Sequence, residues 1–158
     1  MVHIQWKDRY SINFMEIDDQ HKSLLAVLNE LIDLVGERAD PAVVSRLFSQ
    51  LCQYALTHFA TEEAYLAAAN YPRLGQQQAE HGIFIQKLID LNQSYDPEDL
   101  LLLKETHDFL KDWFVSHIMD SDMQYVPTLK KVKPKPPEEP QPEPEAPESE
   151  APEPLQEA

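Results

Sequence analysis

Residues 41–69 carry the pattern that decides the fold, and they read PAVVSRLFSQLCQYALTHFATEEAYLAAA. The apolar residues in this stretch recur every three or four positions, which is the period of one face of an α-helix. Pro41 stands in the first turn, where a helix accommodates proline because an N–H there has no intrahelical partner. Toward the end of the stretch the same face turns polar, because His58 and Glu62 fall on it. The sequence therefore predicts a long helix whose buried face ends in an imidazole and a carboxylate.

Three other stretches share this period, and they cover about residues 18–36, 73–92 and 97–124. Asp18 and Asp19 are typical of a helix start, and Gly36 is typical of a helix end. The last helix is predicted to end before Pro127, because proline lacks the N–H that the next turn needs. Short connections make consecutive helices antiparallel. The predicted fold class is therefore all-α, with the four helices in an up-down-up-down four-helix bundle.

The two ends of the chain differ from this bundle. Residues 1–17 are predicted to form a non-helical N-terminal arm whose apolar side chains pack against the helices: Trp6, Tyr10, Ile12 and Phe14. Residues 131–158 hold nine of the 13 prolines and eight glutamates, a composition that cannot form a core. We therefore expect one bundle domain at residues 1–130 and a disordered, acidic, Pro/Glu-rich C-terminal tail. The composition favours a solvated spacer, and the alternative is a binding segment for an unidentified protein partner.

The chain is strongly acidic, with 28 acidic and 13 basic residues and a formal net charge of -15. Residues 1–130 carry -10 and the tail carries -5, so both parts repel phosphate, which disfavours nucleic acid and anionic membranes as partners. No apolar run approaches the roughly 20 residues of a membrane span. The N-terminal residues lack the apolar core of a secretory signal, and Cys52, the one cysteine, fits a reducing compartment. These features predict a soluble, cytoplasmic protein, with a monomer favoured.

Each predicted helix places polar side chains on its otherwise apolar stripe. They are His21, His58, Glu62, Gln77, His81, His117 and Asp122. In an antiparallel bundle these positions lie at the same end, so four histidines and two carboxylates converge on one layer. A single histidine on such a stripe is more often a hydrogen-bonded core residue. Two buried carboxylates, however, need a compensating cation, and mixed imidazole and carboxylate ligands suit iron, zinc or manganese. Two bridging carboxylates would imply two metal ions.

The spacing within the layer supports a metal site. Glu62 follows His58 by four residues, which places both on one helix face, and the third helix repeats this spacing before His81. His117 and Asp122 lie five residues apart, which a regular helix separates by roughly 140°. These two residues can share the layer only if the helix ends there or contains a π-type turn.

Other residues near the layer have simpler interpretations. His107 lies about 15 Å along the helix from His117, which is too far to share a metal ion. Trp113, Phe114 and Ile118 are most simply core residues, although they would also wall off the metal layer.

Four motifs follow one another along the chain: Trp6 before Ile17-Asp-Asp-Gln-His21-Lys22, then His58-Phe-Ala-Thr-Glu62-Glu63, then Tyr71-Pro72 before Glu80-His81, then Trp113-Phe-Val-Ser-His117-Ile-Met-Asp-Ser-Asp122. In order and spacing they resemble bacterial hemerythrin, and the resemblance covers about residues 3–126. It implies a non-haem di-iron site, with two iron ions, that binds O2 reversibly.

The resemblance also implies roles for the residues of the layer. Glu62 and Asp122 would bridge the two irons. His21 and His58 would hold the iron that binds O2. The second iron would have three histidines, and two of them match this chain: His81 and His117. The wall of the O2 pocket would include Trp113, Phe114 and Ile118.

This chain departs from the family at one ligand, because the third histidine should stand four residues before His81 and Gln77 stands there. An amide oxygen is a weaker donor than an imidazole nitrogen. Three outcomes are open: weak coordination through the Gln77 oxygen, a water in its place, or loss of that iron. Altered O2 chemistry and a tolerated substitution with near-normal O2 binding both remain open.

Three functions are compatible with these sequence features. The first is reversible O2 binding for carriage, storage or sensing. The second is a di-iron enzyme that uses the weakened second iron. Such an enzyme would be an oxidase, a peroxidase or a nitric-oxide-handling protein. No catalytic residue beyond the metal ligands is predicted, which disfavours the enzyme. The third is an interaction module whose layer binds zinc or no metal.

Overall fold

The structure is a computed structural model that describes residues 2–132. Its helical elements are α1 (Met15–Gly36), α2 (Pro41–Ala68), α3 (Leu74–Ser94), α4 (Leu100–Ser116), a π-helical segment (His117–Asp122) and α5 (Met123–Val132). α1 packs against α2 and α4, and α2 packs against α3. No strand occurs within residues 2–132. The prediction of an all-α four-helix bundle is confirmed.

Two apolar clusters fill the bundle. The larger cluster takes side chains from α1 to α4, including Leu28, Leu51 and Leu110. The smaller cluster lies at one end and joins the arm, α1, α2 and α5 through Ile12, Ile17, Tyr65, Leu66, Tyr125 and Leu129. On α2, Glu62 lies in sequence between Phe59 of the larger cluster and Leu66 of the smaller one. The polar layer therefore lies between two apolar regions.

The arm packs as the sequence predicts, but α1 begins earlier than predicted. Tyr10 and Ile12 are buried, and the arm contains one short 3-10 turn at Asp8–Tyr10. α1 starts at Met15, three residues before Asp18. The buried Asp18 carboxylate accepts hydrogen bonds from Ile12 N at 2.8 Å and Ser11 Oγ at 2.5 Å. Asp18 thus holds the arm against the first turn rather than capping the helix, because an aspartate one turn inside a helix can reach back to the preceding chain.

The end of the bundle also differs from the prediction. α4 begins at Leu100 and not at residue 97 as predicted. The Asp99 carboxylate caps this start, because it accepts hydrogen bonds from two backbone N–H groups at 3.0 Å each. The helical path then continues through Pro127 to Val132. Pro127 is exposed, while Tyr125 and Leu129 on the same helix are buried in the smaller cluster. Burial of this face outweighs the one hydrogen bond that proline removes.

The predicted tail begins inside α5, since residues 131 and 132 are helical. The rest of the predicted tail, residues 133–158, lies outside the described residues. Over residues 2–132, no helix is both long enough and apolar enough to cross a bilayer.

Candidate metal centre

Four histidines and two carboxylates meet in one buried layer. They are the residues that the sequence analysis predicted as metal ligands: His21, His58, Glu62, His81, His117 and Asp122. The two oxygens of Glu62 face different histidines. Its Oε2 lies 3.3 Å from His58 Nε2, and its Oε1 lies 3.7 Å from His81 Nε2.

Asp122 repeats this arrangement. Its Oδ2 lies 3.4 Å from His21 Nε2, and its Oδ1 lies 3.2 Å from His117 Nε2. The layer therefore has a first side, with His21 and His58, and a second side, with His81 and His117. On each side, candidate ligand atoms of the two histidines and Glu62 all lie within 4.8 Å of one another.

The π-helical segment brings the last two of these residues together. A regular helix would separate positions five apart by roughly 140°. The wider turn of His117–Asp122 places the imidazole and the carboxylate of its two end residues in the same layer. Of the two alternatives that the spacing allows, a helix end or a π-type turn, the structure has the π-type turn.

The layer contains buried polar atoms that have no hydrogen-bond partner among residues 2–132. They are both ring nitrogens of His21, Glu62 Oε2, Asp122 Oδ2 and, nearby, the Tyr125 hydroxyl. An unpaired buried polar atom costs about 1–3 kcal/mol. On the second side, His81 Nε2 and His117 Nε2 lie only 3.1 Å apart, so two facing lone pairs would repel unless a proton or cation lay between them. Mixed imidazole and carboxylate donors suit iron, zinc or manganese, and their unpaired state fits a bound cation.

Burial sets the charges of these groups in the metal-free protein. It lowers the pKa of His58 well below the ordinary value, and the neighbouring charge of His21 adds to the shift. Burial also lowers the pKa of His81. The pKa of Glu62 is raised well above its ordinary value by burial and by the charge of Asp122. These shifts favour the neutral form of His58 and His81, and neutral imidazole is the form that binds metal.

Three residues behind the layer orient three of the histidines. In each case a side-chain oxygen from the neighbouring helix accepts a hydrogen bond from the Nδ1 of the histidine. Gln20 Oε1 lies 3.0 Å from His58 Nδ1, Glu63 Oε1 lies 2.7 Å from His81 Nδ1, and Glu80 Oε2 lies 3.0 Å from His117 Nδ1. Because these oxygens accept, Nδ1 carries the proton and Nε2 is left free to face the layer.

No role is predicted from the sequence for Gln20, Glu63 or Glu80. A signal was present, because each stands directly beside a predicted ligand: next to His21, Glu62 and His81, respectively. Adjacent helix positions diverge by about 100°, so a residue beside a ligand can reach the neighbouring helix.

An apolar cavity of about 10 Å³ adjoins the first side. Trp113, Phe114 and Ile118, the predicted wall residues, line it together with four apolar residues that the sequence analysis missed: Leu24, Leu28, Phe59 and Phe84. Its polar lining consists of three histidine rings. Two of the aromatic residues also fix second-side imidazoles, since Phe59 stacks on His81 at 3.8 Å and Trp113 stacks on His117 at 4.4 Å.

Gln77 is buried beside the second side. Its amide nitrogen donates to Glu62 Oε1 at 3.1 Å and to Asp122 Oδ1 at 3.0 Å. A separate polar cavity of about 10 Å³ adjoins it, lined by Tyr71, Arg73, Gln76, Gln77, Ser121 and Gln124. His107 contacts the arm and Asp108 instead of the layer, as predicted.

Comparisons with known proteins agree with this arrangement. Residues 14–129 match the family model described as the hemerythrin HHE cation binding domain. The chain is 29% identical over 125 residues to a bacteriohemerythrin of Clostridium acetobutylicum, a match that covers 77% of this chain and 97% of that protein. It is 28% identical over 131 residues to a bacteriohemerythrin of Pseudomonas aeruginosa, a match that covers 82% of this chain and 84% of that protein. A crystal structure of a hemerythrin mutant superposes with a TM-score of 0.71 at 26% identity, covering 82% of this chain and 98% of that one.

Proposed function

The chain belongs to the hemerythrin family, whose cofactor is a non-haem di-iron centre, and we propose that it binds O2 reversibly at such a centre. One observation carries the proposal. On the first side, His21 and two carboxylate oxygens lack hydrogen-bond partners among the described residues, and this side opens onto an apolar cavity of about 10 Å³. Such a volume holds about one water-sized molecule, and its apolar wall suits O2 better than water.

We propose that the iron ligands are the six residues of the layer: His21, His58, Glu62, His81, His117 and Asp122. Glu62 and Asp122 would bridge, and each side would supply two imidazoles. The distances support this assignment, because each carboxylate has one oxygen near a first-side histidine and the other near a second-side histidine.

The residues around the site have separate tasks in this proposal. When bound, the iron pair supplies the electrons for reversible O2 binding. Leu24, Leu28, Phe114 and Ile118 exclude water from the first side, because their apolar side chains offer it no hydrogen bonds. Gln20 fixes the His58 ring because its Oε1 accepts a hydrogen bond from Nδ1–H.

The test is the visible spectrum of protein loaded anaerobically with iron(II), recorded as O2 is added and then purged. We expect a charge-transfer band that appears with O2 and vanishes on purging. Zinc-loaded protein is the control and should give no band. A band that forms and decays irreversibly, with consumption of O2 or peroxide, would favour an oxidase or peroxidase. A protein that never holds two irons would favour the interaction module.

The enzyme alternative has one observation in its favour. Gln77 replaces the third second-side histidine of the family, and a polar cavity adjoins it. A second iron with fewer nitrogen ligands and access to water could exchange ligands and turn over O2, peroxide or nitric oxide. Sustained consumption of one of these substrates in the presence of a reductant would establish this function.

The proposed setting is the cytoplasm, with O2 as the ligand and neither nucleic acid nor a membrane as a partner. The net charge of -15 and the single cysteine support this setting. We propose a monomer, and sedimentation of the full chain would test it. Removal of residues 133–158 should leave O2 binding unchanged if the tail is a spacer, whereas loss of a cellular partner on removal would assign the tail a binding role.

A further inference from the structure

The two sides of the layer differ at the carboxylates. The oxygens that face the first side, Glu62 Oε2 and Asp122 Oδ2, have no hydrogen-bond partner among the described residues. The oxygens that face the second side, Glu62 Oε1 and Asp122 Oδ1, both accept from the amide nitrogen of Gln77, at 3.1 and 3.0 Å. One side chain therefore satisfies the second-side oxygens of both bridging groups.

The chemistry of the amide fixes this orientation. A carboxyl oxygen that carries no proton only accepts hydrogen bonds, and the amide nitrogen of glutamine has two N–H donors and no useful lone pair for a metal. Gln77 is only 3% exposed, so water does not replace these hydrogen bonds. A metal ion on the second side would need the same two oxygens. Each of these oxygens would then share its lone pairs between a Gln77 N–H and the metal, so it would be a weaker donor to the second metal than the unpaired first-side oxygen is to the first.

We propose that Gln77 is a positioning residue that makes the two metal positions unequal. It holds the bridging carboxylates in place in the metal-free protein, and it lowers the metal affinity of the second side by sharing its two carboxylate oxygens, so the first side fills first. The proposal rests on the proposed function, because it assumes that the six layer residues are ligands.

The surroundings of Gln77 favour water as the remaining ligand of the second metal. The polar cavity of about 10 Å³ beside Gln77 has room for one water molecule, and hydrogen-bonding side chains such as Ser121 and Gln124 line it. In this arrangement Gln77 contributes through hydrogen bonds to the carboxylates and leaves one position of the second metal to an exchangeable molecule.

The experiment is a titration of metal-free full-length protein with Zn²⁺, followed by calorimetry, together with thermal unfolding of the metal-free forms. Wild type should bind two Zn²⁺ in two steps that differ at least about tenfold in affinity. Gln77→Leu, which keeps the bulk and removes the donors, should tighten the second step about tenfold and lower the Tm of the metal-free protein by several degrees. Gln86→Leu, at an exposed position of α3, is the matched control and should change neither.

Several outcomes would overturn the proposal. A weaker second step in Gln77→Leu would mean that Gln77 is itself a ligand through its carbonyl oxygen. An unchanged Tm of the metal-free variant would mean that Gln77 does not hold the carboxylates. Gln77→His separates this inference from the proposed function. If wild type binds Zn²⁺ in two steps, but neither iron-loaded wild type nor iron-loaded Gln77→His gives an O2-dependent band, then only the proposed O2 binding is contradicted. Wild type that binds no Zn²⁺ would remove both.

Discussion

The first and second sides of the buried layer have the same kinds of candidate donor atom but different partners behind them. The first side faces the apolar cavity, which also reaches His117, and among residues 2–132 the partner that orients its histidines is the neutral amide of Gln20. The second side adjoins a polar cavity, and the carboxylates of Glu63 and Glu80 stand behind both of its histidines. Gln77 also donates to both bridging carboxylates there.

This difference bears on how strongly each side would hold a metal under the proposed function. A carboxylate behind an imidazole makes the ring a stronger donor to a metal, because its negative charge favours the cation. Both imidazoles of the second side, His81 and His117, have carboxylate partners. The first side has neutral surroundings, which suit a small apolar ligand. Outer partners can therefore tune two neighbouring metal positions independently.

The largest expected effect comes from a residue that both sides share. Glu62→Ala should remove a ligand from both metals and reduce the metal content from two ions per chain to below one, measured by elemental analysis after iron or zinc loading. Glu105→Ala, an exposed position on α4, is the control and should retain two. Two metals held tightly by Glu62→Ala would show that Asp122 alone bridges the sides.

The outer carboxylates should matter next. Glu80→Gln keeps the shape of the side chain and removes the charge behind His117, which lies 3.0 Å away. We expect zinc affinity to fall by roughly 10- to 100-fold, mainly in the step assigned to the second side. Competition with a chromophoric chelator measures this loss, and Glu105→Gln serves as the exposed control. Equal weakening of both steps would contradict the independence of the two sides.

The apolar cavity gives a third test. Leu28→Ala should enlarge the cavity and admit water, so the O2-dependent visible band of iron-loaded protein should decay several-fold faster. Absorbance at that band, recorded over time, measures the decay. The truncation should also cost roughly 2–5 kcal/mol of unfolding free energy. Leu88→Ala is the matched control, because Leu88 is equally buried but does not line the cavity. Faster decay in both variants would assign the effect to lower stability rather than to the cavity.

The smallest effect is expected at the neutral partner. Gln20→Ala removes one hydrogen bond to His58, which lies 3.0 Å away. A neutral hydrogen bond contributes about 1 kcal/mol, so the first zinc affinity should fall by roughly fivefold. The same chelator competition measures it. A loss as large as that of Glu80→Gln would mean that the charge of the outer partner has little importance.

The sequence was sufficient for most of the fold because long apolar stripes with helical period leave one plausible packing. The errors lie at helix ends, where local signals compete with tertiary contacts. Asp18 was interpreted as a helix start, but its side chain binds the arm. Pro127 was expected to end the last helix, but the burial of Tyr125 and Leu129 holds that segment helical.

The convergence of the four histidines and two carboxylates in one buried layer could also be predicted, because polar residues on an apolar stripe are conspicuous. The outer partners could not be predicted from their position beside a ligand alone. Gln20, Glu63 and Glu80 are partly exposed polar residues on helices, and such residues are usually solvated. Which of them reaches a histidine depends on how neighbouring helices rotate against each other. The sequence contains no direct record of that rotation. The role of Gln77 was undecided for the same reason, because its hydrogen bonds depend on the positions of both carboxylates.

The π-helical segment has a consequence for protein engineering. A designer who grafts His117 and Asp122 onto an ideal helical scaffold would not reproduce the site, because a regular backbone directs the two side chains to different faces. Shortening the segment by one residue would rotate everything downstream by about 100° and turn Tyr125 and Leu129 away from the smaller cluster. The smallest portable unit is therefore the whole stretch from His117 to Val132, together with the apolar surface that receives α5.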